Sequence, residues 1–202
     1  MSSNTEPAKM RYLRFAQRIR VPVGFILAPL LFVVSRPGTV SVVAGSVVAL
    51  VGLGIRAWAS GCLKKNEELA TSGPYAYTRN PLYLGTLVLG LGISICTGSW
   101  WFTCIFAVFY LVVYIPVMIA EAETLRRLFP DQYRAYSGHV PMFVPNVLPF
   151  GAGRRRPTEA AFDSASEQVF DLSLYIRHRE YRALLGFVAV LGLLIIKAVL
   201  RS

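Results

Sequence analysis

The chain has 202 residues, of which 54% are hydrophobic and only 16% charged, and its mean hydropathy is +0.50. This length allows one domain, and the composition excludes an ordinary soluble protein. A net charge of +10 could indicate nucleic-acid binding. However, 17 of the 21 lysine and arginine residues fall on one side of the apolar stretches, which favours a membrane protein with no nucleic-acid partner.

Five apolar stretches are each close to the roughly 20 residues that a helix needs to cross a bilayer. They cover residues 21–35, 39–59, 81–97, 99–120 and 183–200. The basic residues gather before the first stretch, between the second and third, and between the fourth and fifth. The positive-inside rule then places the N-terminus in the cytoplasm and the C-terminus outside. We therefore predict an all-α integral membrane protein of the bacterial inner membrane, with about five transmembrane helices.

The chain divides into four predicted parts. Residues 1–20 are predicted to form a basic cytoplasmic helix that lies on anionic lipid, and residues 21–150 the membrane core. Residues 151–182 are a cytoplasmic linker and surface helix, the helical part covering about 158–180. Residues 183–202 are the C-terminal transmembrane helix.

Within the core, the second stretch carries a face of small residues on which another helix can pack closely: Gly45, Ala49, Gly52 and Gly54. The third and fourth stretches are joined only by residues 97–99, which predicts an antiparallel hairpin with tryptophans at the outer interface. Pro116 predicts a kink in the fourth stretch. A helical continuation is predicted over residues 121–136.

The segment from Gly73 to Gly85 places aromatic, cationic and capping residues at the start of the third stretch. Asn80 is a favoured helix N-cap and Pro81 suits the first turn, so backbone N–H groups and the positive end of the helix dipole would lie beside Arg79. That combination is a ready anion-binding site. Polar groups held at a lipid boundary usually serve function.

This segment contains Gly-Pro-Tyr at 73–75, Arg-Asn-Pro at 79–81 and Tyr-Leu-Gly at 83–85. It resembles the signature of the isoprenylcysteine carboxyl methyltransferase family and its phospholipid methyltransferase relatives, integral membrane enzymes that use S-adenosylmethionine. Asn80 stands where that family usually has His.

A second run, from Glu121 to Pro145, is similar to the family's other motif, with Ala122 in place of a second Glu and Pro130 in place of a Gly. The resemblance covers about residues 40–148. It implies a membrane methyltransferase with S-adenosylmethionine as cofactor, a cytoplasmic cofactor pocket, and a lipidic or prenylated small molecule as methyl acceptor.

Two acids remain in the second motif. Glu123 can pair with Arg126 and Arg127 at helical spacing, which is an ordinary surface arrangement. Glu121 has no cation at such a spacing and needs a partner from elsewhere in the fold. Either Arg79 or the ammonium group of the bound cofactor could be that partner.

The resemblance implies catalytic roles for Arg79 and Glu121. The cofactor's carboxylate would lie at the helix N-terminus, its ammonium at Glu121 and its adenine between tyrosines. The predicted cofactor-binding residues are Gly73, Pro74, Tyr75, Tyr77, Asn80, Pro81, Tyr83, Leu84, Glu121 and Tyr136. The three cysteines and two histidines show no metal-ligand spacing, so no metal is predicted.

The acceptor is less constrained than the cofactor. The family name implies a prenylcysteine carboxylate, which is already nucleophilic, whereas the amine of a phospholipid would first have to lose a proton to a base. Asn80 cannot be that base. A nicotinamide-dependent membrane reductase and a non-enzymatic helical scaffold are the alternatives of other classes.

Overall fold

The structure, a computed structural model, describes residues 32–64, 68–150 and 170–200. All regular elements in these ranges are helical, as the hydropathy pattern predicts. In chain order they are α1 (Thr39–Gly61), a 3-10 turn (Gly73–Ala76), α2 (Pro81–Cys96), α3 (Trp100–Leu128), α4 (Pro130–Ser137), α5 (Leu172–Arg177) and α6 (Tyr181–Val199).

Three of the described helices, α1, α3 and α6, are long and apolar enough to cross a membrane. They agree with the predicted second, fourth and fifth stretches. Helix α2 has 16 residues and is apolar but shorter, about 24 Å at the helical rise. Most of the predicted first stretch lies outside the described residues, so the count of five spans stays a prediction.

The core of the bundle is the close contact of α1 with α2. A methyl group added at Gly52 would lie 2.3 Å from the backbone nitrogen of Leu89, and one at Gly92 would lie 2.3 Å from the backbone nitrogen of Ala49. The two backbones therefore touch with no room for a side chain, as the small-residue face predicts. Gly54 does not take part, because its surroundings are open.

The α2–α3 hairpin turns at residues 97–99. Gly98 has a φ of +67°, a conformation that favours glycine, and the Thr97 carbonyl accepts a hydrogen bond from the Arg36 backbone N–H at 2.7 Å. At the opposite end of the bundle α1 ends, α2 begins, α3 ends and α6 begins. We call this opposite end the site end.

Two predicted helices have different bounds. The continuation predicted over 121–136 is broken at Phe129 (φ −134°, ψ 63°), and Pro130 starts a separate helix, because a proline suits a first turn but not a helix interior. In the predicted surface helix at 158–180, only α5 is helical among the residues described, and 178–180 form a turn.

Candidate active site

A cavity of about 900 Å³ lies at the site end. Residues from α1, α2, α3 and α4 line it, together with the loop that precedes α2 and the turn between α5 and α6. Those that carry the argument below are Arg56, Tyr75, Arg79, Asn80, Tyr83, Tyr114, Glu121, Tyr133, Tyr136, His178 and Glu180. A cavity of this size falls within the range of small-molecule and cofactor sites.

Arg79 is fixed by its backbone and by one side of its guanidinium. Its backbone N–H donates to the Pro141 carbonyl at 3.0 Å, and its Nη1 donates to the Tyr133 hydroxyl at 2.9 Å. Its Nε is buried without a hydrogen-bond partner in the described part of the chain. A buried donor left over in this way costs free energy unless a ligand or water accepts from it.

Asn80 is the N-cap residue of α2 and Pro81 is its first residue, as predicted. The Asn80 side chain, however, makes no capping hydrogen bond; its Nδ2 donates to the Met142 carbonyl at 2.8 Å. The amide thus holds the loop after α4 against the start of α2. The predicted side-chain cap is wrong, and the position is used instead to tie two loops together.

Glu121 lies in the wall formed by α3 and makes no ion pair or hydrogen bond with any other described residue. The expected pairing with Arg79 is therefore not made directly, although both residues line the same cavity. Close by is Tyr75, only 6% exposed, whose hydroxyl has no partner within the described ranges. Burial, with the nearby Glu121 carboxylate, raises the pKa of Tyr75 well above its ordinary value.

Aromatic rings form much of the remaining wall. Tyr83 and Tyr114 meet edge to face with centroids 5.7 Å apart, and Tyr133 and Tyr136 do so at 6.4 Å. The Tyr136 hydroxyl donates to the Tyr75 carbonyl at 2.7 Å, which fixes the 3-10 turn against α4. The rings are thus held in place and present aromatic edges and faces to the cavity.

The C-terminal elements close the cavity from a third side. Glu180 accepts two hydrogen bonds from Arg56 Nη2, at 2.7 and 2.9 Å, and one from Nε at 3.0 Å; Arg56 Nη1 donates to the Thr86 hydroxyl. Nearby, His178 Nδ1 lies 3.2 Å from the Ser60 carbonyl. This oxygen can only accept, so Nδ1 donates to it, and in a neutral ring Nε2 is then the acceptor.

Between these two cavity residues lies Arg179, which has a φ of 56°. A bulky residue in this left-handed region stores strain, and such strain persists only where the surroundings impose it. Here the turn brings both of its neighbours, His178 and Glu180, to the cavity wall.

The structure brings six of the predicted site residues to the cavity wall: Tyr75, Arg79, Asn80, Tyr83, Glu121 and Tyr136. The others lie behind it and frame it: Gly73, Pro74, Tyr77, Pro81 and Leu84. Gly73 has a φ of +57° and packs on Cys62, and the Tyr77 carbonyl accepts from the Asn146 N–H at 2.8 Å. Direct contact of these five with a cofactor stays a prediction.

Sequence reasoning missed Arg56, His178 and Glu180. One signal was available, because Arg56 is a charged residue inside an otherwise apolar helix, and such residues usually have a partner and a function. Its partner is 124 positions away, and no local pattern marks a contact over that distance.

Residues 29–132, about half of the chain, match the phospholipid methyltransferase family. The chain belongs to this family. The matched region contains α1, the 3-10 turn, α2 and α3, and therefore Arg79 and Glu121, whereas α5 and α6 lie beyond it.

Three curated proteins are similar to the chain. The cobalt-zinc-cadmium resistance protein CzcN of Cupriavidus metallidurans is 33% identical over 63% of this chain and 62% of its own length. The nickel-cobalt-cadmium resistance protein NccN of Alcaligenes xylosoxydans xylosoxydans is 34% identical over 43% of this chain and 40% of its own length. A protein-S-isoprenylcysteine O-methyltransferase of Schizosaccharomyces pombe is 31% identical over 42% of this chain and 36% of its own length.

In each case the chain spans less than two thirds of the curated relative. No solved structure matches. Two of the relatives are named for metal resistance, yet residues 32–64, 68–150 and 170–200 contain no group of three or more His, Cys, Asp or Glu side chains that could hold a metal ion.

Proposed function

We propose that the chain is an integral membrane methyltransferase that moves a methyl group from S-adenosylmethionine to the carboxylate of a lipidic, prenylcysteine-type acceptor. The observation that carries the proposal is the set of polar groups that one cavity leaves available to a ligand. In its wall the Tyr75 hydroxyl and Arg79 Nε are buried without partners among the described residues, and the half-buried Glu121 makes no ion pair or hydrogen bond with them. Family membership and the similarity to an isoprenylcysteine O-methyltransferase support this choice.

The residues present fit S-adenosylmethionine. Glu121 offers a carboxylate for its ammonium, the start of α2 offers a dipole-positive end for its carboxylate, and the tyrosines offer aromatic surface for its adenine. When bound, the cofactor supplies a methyl carbon on a sulfonium that a nucleophile can attack in line. The cavity's part is to hold the nucleophile in that line and to exclude water.

Arg79 is the residue proposed to hold the acceptor. Its Nη1 is fixed by Tyr133, so the guanidinium plane is set, and its free Nε can donate to a carboxylate oxygen. The other carboxylate oxygen would then be available to accept the methyl group that the cofactor would supply, with S-adenosylhomocysteine as the product that leaves. No proton has to be removed, because the carboxylate is ionised at neutral pH.

Methylation of a phospholipid amine is a second candidate, favoured by the position of His178. An ammonium must lose a proton before it can attack, and His178 lines the cavity with its Nδ1 near the Ser60 carbonyl, so that Nε2 of a neutral ring would be the acceptor. In that reaction His178→Gln should abolish methyl transfer to amines, whereas transfer to a carboxylate should be retained.

Calorimetry of the purified protein with S-adenosylhomocysteine and with NADPH tests the proposed function. We expect S-adenosylhomocysteine to bind and NADPH not to bind. In a second assay, radiolabelled methyl groups should be transferred into lipid extracts. If the product is a methyl ester, base hydrolysis should release the label as volatile methanol. Binding of NADPH alone would support a reductase. Binding of neither would support a scaffold.

A further inference from the structure

A second cavity of about 210 Å³, which we call the side pocket, lies between α1 and the C-terminal elements. It is lined by Leu53, Gly54, Arg56, Ala57, Tyr175, Glu180 and Leu184. Gly54 and Leu184 are exposed, so the side pocket opens on the outside of the bundle. Its walls belong to the last turns of α1, to α5 and to the start of α6, which places it at the site end.

The side pocket adjoins the active-site cavity. Arg56 and Glu180 line both of them, and the ion pair that they form is the shared wall. The two spaces differ in chemistry: the larger carries Glu121, Arg79 and several tyrosines, whereas the other residues of the side pocket are small or apolar apart from the Tyr175 hydroxyl. Together they suit a molecule with a polar head and a hydrocarbon chain.

The side pocket is smaller than sites that bury a whole small molecule, which usually measure 300 Å³ or more. It can therefore hold a segment of a chain but not an entire lipid. Gly54 leaves open space in the wall of the side pocket, because a side-chain carbon added there would meet no atom within 4 Å. This space could hold part of a hydrocarbon chain.

We propose that the side pocket binds the hydrocarbon chain of the methyl acceptor, with the Arg56–Glu180 pair at the boundary between chain and head group. This inference rests on the proposed function and adds a specificity determinant to it. Three of the seven lining residues, Tyr175, Glu180 and Leu184, come from a part of the chain outside residues 29–132. Chain preference can thus differ between proteins that share the same catalytic region.

Gly54→Leu tests the inference, because Gly54 lines the side pocket and a side-chain carbon added there meets no neighbouring atom. Gly186→Leu is the matched control: Gly186 is an exposed glycine of α6, its surroundings are equally open, and it does not line the side pocket. The probes are N-acetylcysteine carboxylates S-alkylated with butyl, octyl and dodecyl chains. Both methyl transfer and binding to the complex with S-adenosylhomocysteine are measured, since the second needs no turnover.

In the wild type and Gly186→Leu, kcat/KM and affinity should rise from butyl to octyl by about fourfold for each methylene that is buried. In Gly54→Leu this rise should disappear, while butyl transfer and S-adenosylhomocysteine binding stay at the wild-type level. An unchanged dependence on chain length in Gly54→Leu would overturn the inference and leave the side pocket to bulk membrane lipid. Absence of transfer and of acceptor binding in the wild type would instead remove the proposed function, and this inference with it.

Discussion

Glu121 and Glu123 stand on the same helix two positions apart, but only Glu121 lines the cavity. Glu121→Gln keeps the size of the side chain and removes the charge proposed to meet an ammonium. It should weaken S-adenosylhomocysteine binding by about 1 to 3 kcal/mol, the scale of a charged hydrogen bond. Glu123→Gln should leave the affinity unchanged. Calorimetry on both variants decides, and equal losses would show that the wrong acid has been chosen.

The guanidinium of Arg79 is proposed to act on the acceptor more than on the cofactor. Arg79→Lys keeps the charge but cannot bind Tyr133 and a carboxylate at once with a planar group. Turnover should therefore fall by about tenfold or more, which corresponds to about 1.4 kcal/mol, with little change in S-adenosylhomocysteine affinity. Full activity in this variant would reduce Arg79 to an anchor for lipid phosphate.

Tyr75 carries a hydroxyl without a partner and a raised pKa. The neutral phenol is favoured in the folded state, so its contribution to stability is intact below the ordinary tyrosine pKa of about 10 and is lost as the pH rises above it. At neutral pH, Tyr75→Phe should leave the free energy of unfolding unchanged or raise it by up to about 1 kcal/mol, because the substitution removes no hydrogen bond. It should also lessen the alkaline loss of stability.

Unfolding of wild type and Tyr75→Phe is followed by circular dichroism between neutral and alkaline pH. A variant that is less stable than the wild type at neutral pH would mean that the hydroxyl does have a partner in the free protein. Weaker binding of S-adenosylhomocysteine without a loss of stability would assign that hydroxyl to the ligand.

The sequence predicts only some of the residues that line the cavity. Arg79, Glu121 and several tyrosines stand in short local patterns whose spacing reflects one loop and one helix face. The unpaired state of Glu121 follows from local spacing as well, because no cation stands three or four positions away. The pairing of Arg56 with Glu180 depends on how α6 packs, and nothing within a few residues of either one encodes it.

Among the elements, α1 and α2 depend on each other most closely. Gly52→Ala would place a carbon 2.3 Å from the Leu89 nitrogen, and a backbone cannot yield locally to such a contact. The two helices must then separate, at a cost of about 2 kcal/mol or more. Gly192→Ala in α6 meets no neighbour and should be neutral or slightly stabilising, since alanine favours helices.

Thermal unfolding of both glycine variants in the same detergent checks this prediction. Equal midpoints would mean that the α1–α2 contact is looser than described.

Hydropathy predicts where the long helices lie, but it does not predict every helix end. The apolar runs predict α1 and α3 well, whereas the break at Phe129 is caused by Pro130 and is not accompanied by a change in hydropathy. The capping role expected of Asn80 was lost to a competing contact with the Met142 carbonyl.

For the whole molecule, the distribution of basic residues predicts orientation. A reporter fused after residue 98 should lie on the outer side of the membrane, and one fused after residue 150 should lie in the cytoplasm. This is expected because 17 of the 21 lysine and arginine residues fall in the segments predicted to be cytoplasmic. Alkaline phosphatase and green fluorescent protein fusions give opposite signals on the two sides. Both positions reporting the same compartment would reject this topology.

The link between Arg56 and Glu180 also affects how the protein matures. Residue 56 is synthesised long before residue 180, so α1, α2 and α3 can enter the bilayer while one wall of the cavity does not yet exist. During that interval the Arg56 guanidinium lacks its carboxylate, which is unfavourable in an apolar setting. The Arg56–Glu180 side of the cavity is therefore completed only after residue 180 has been synthesised.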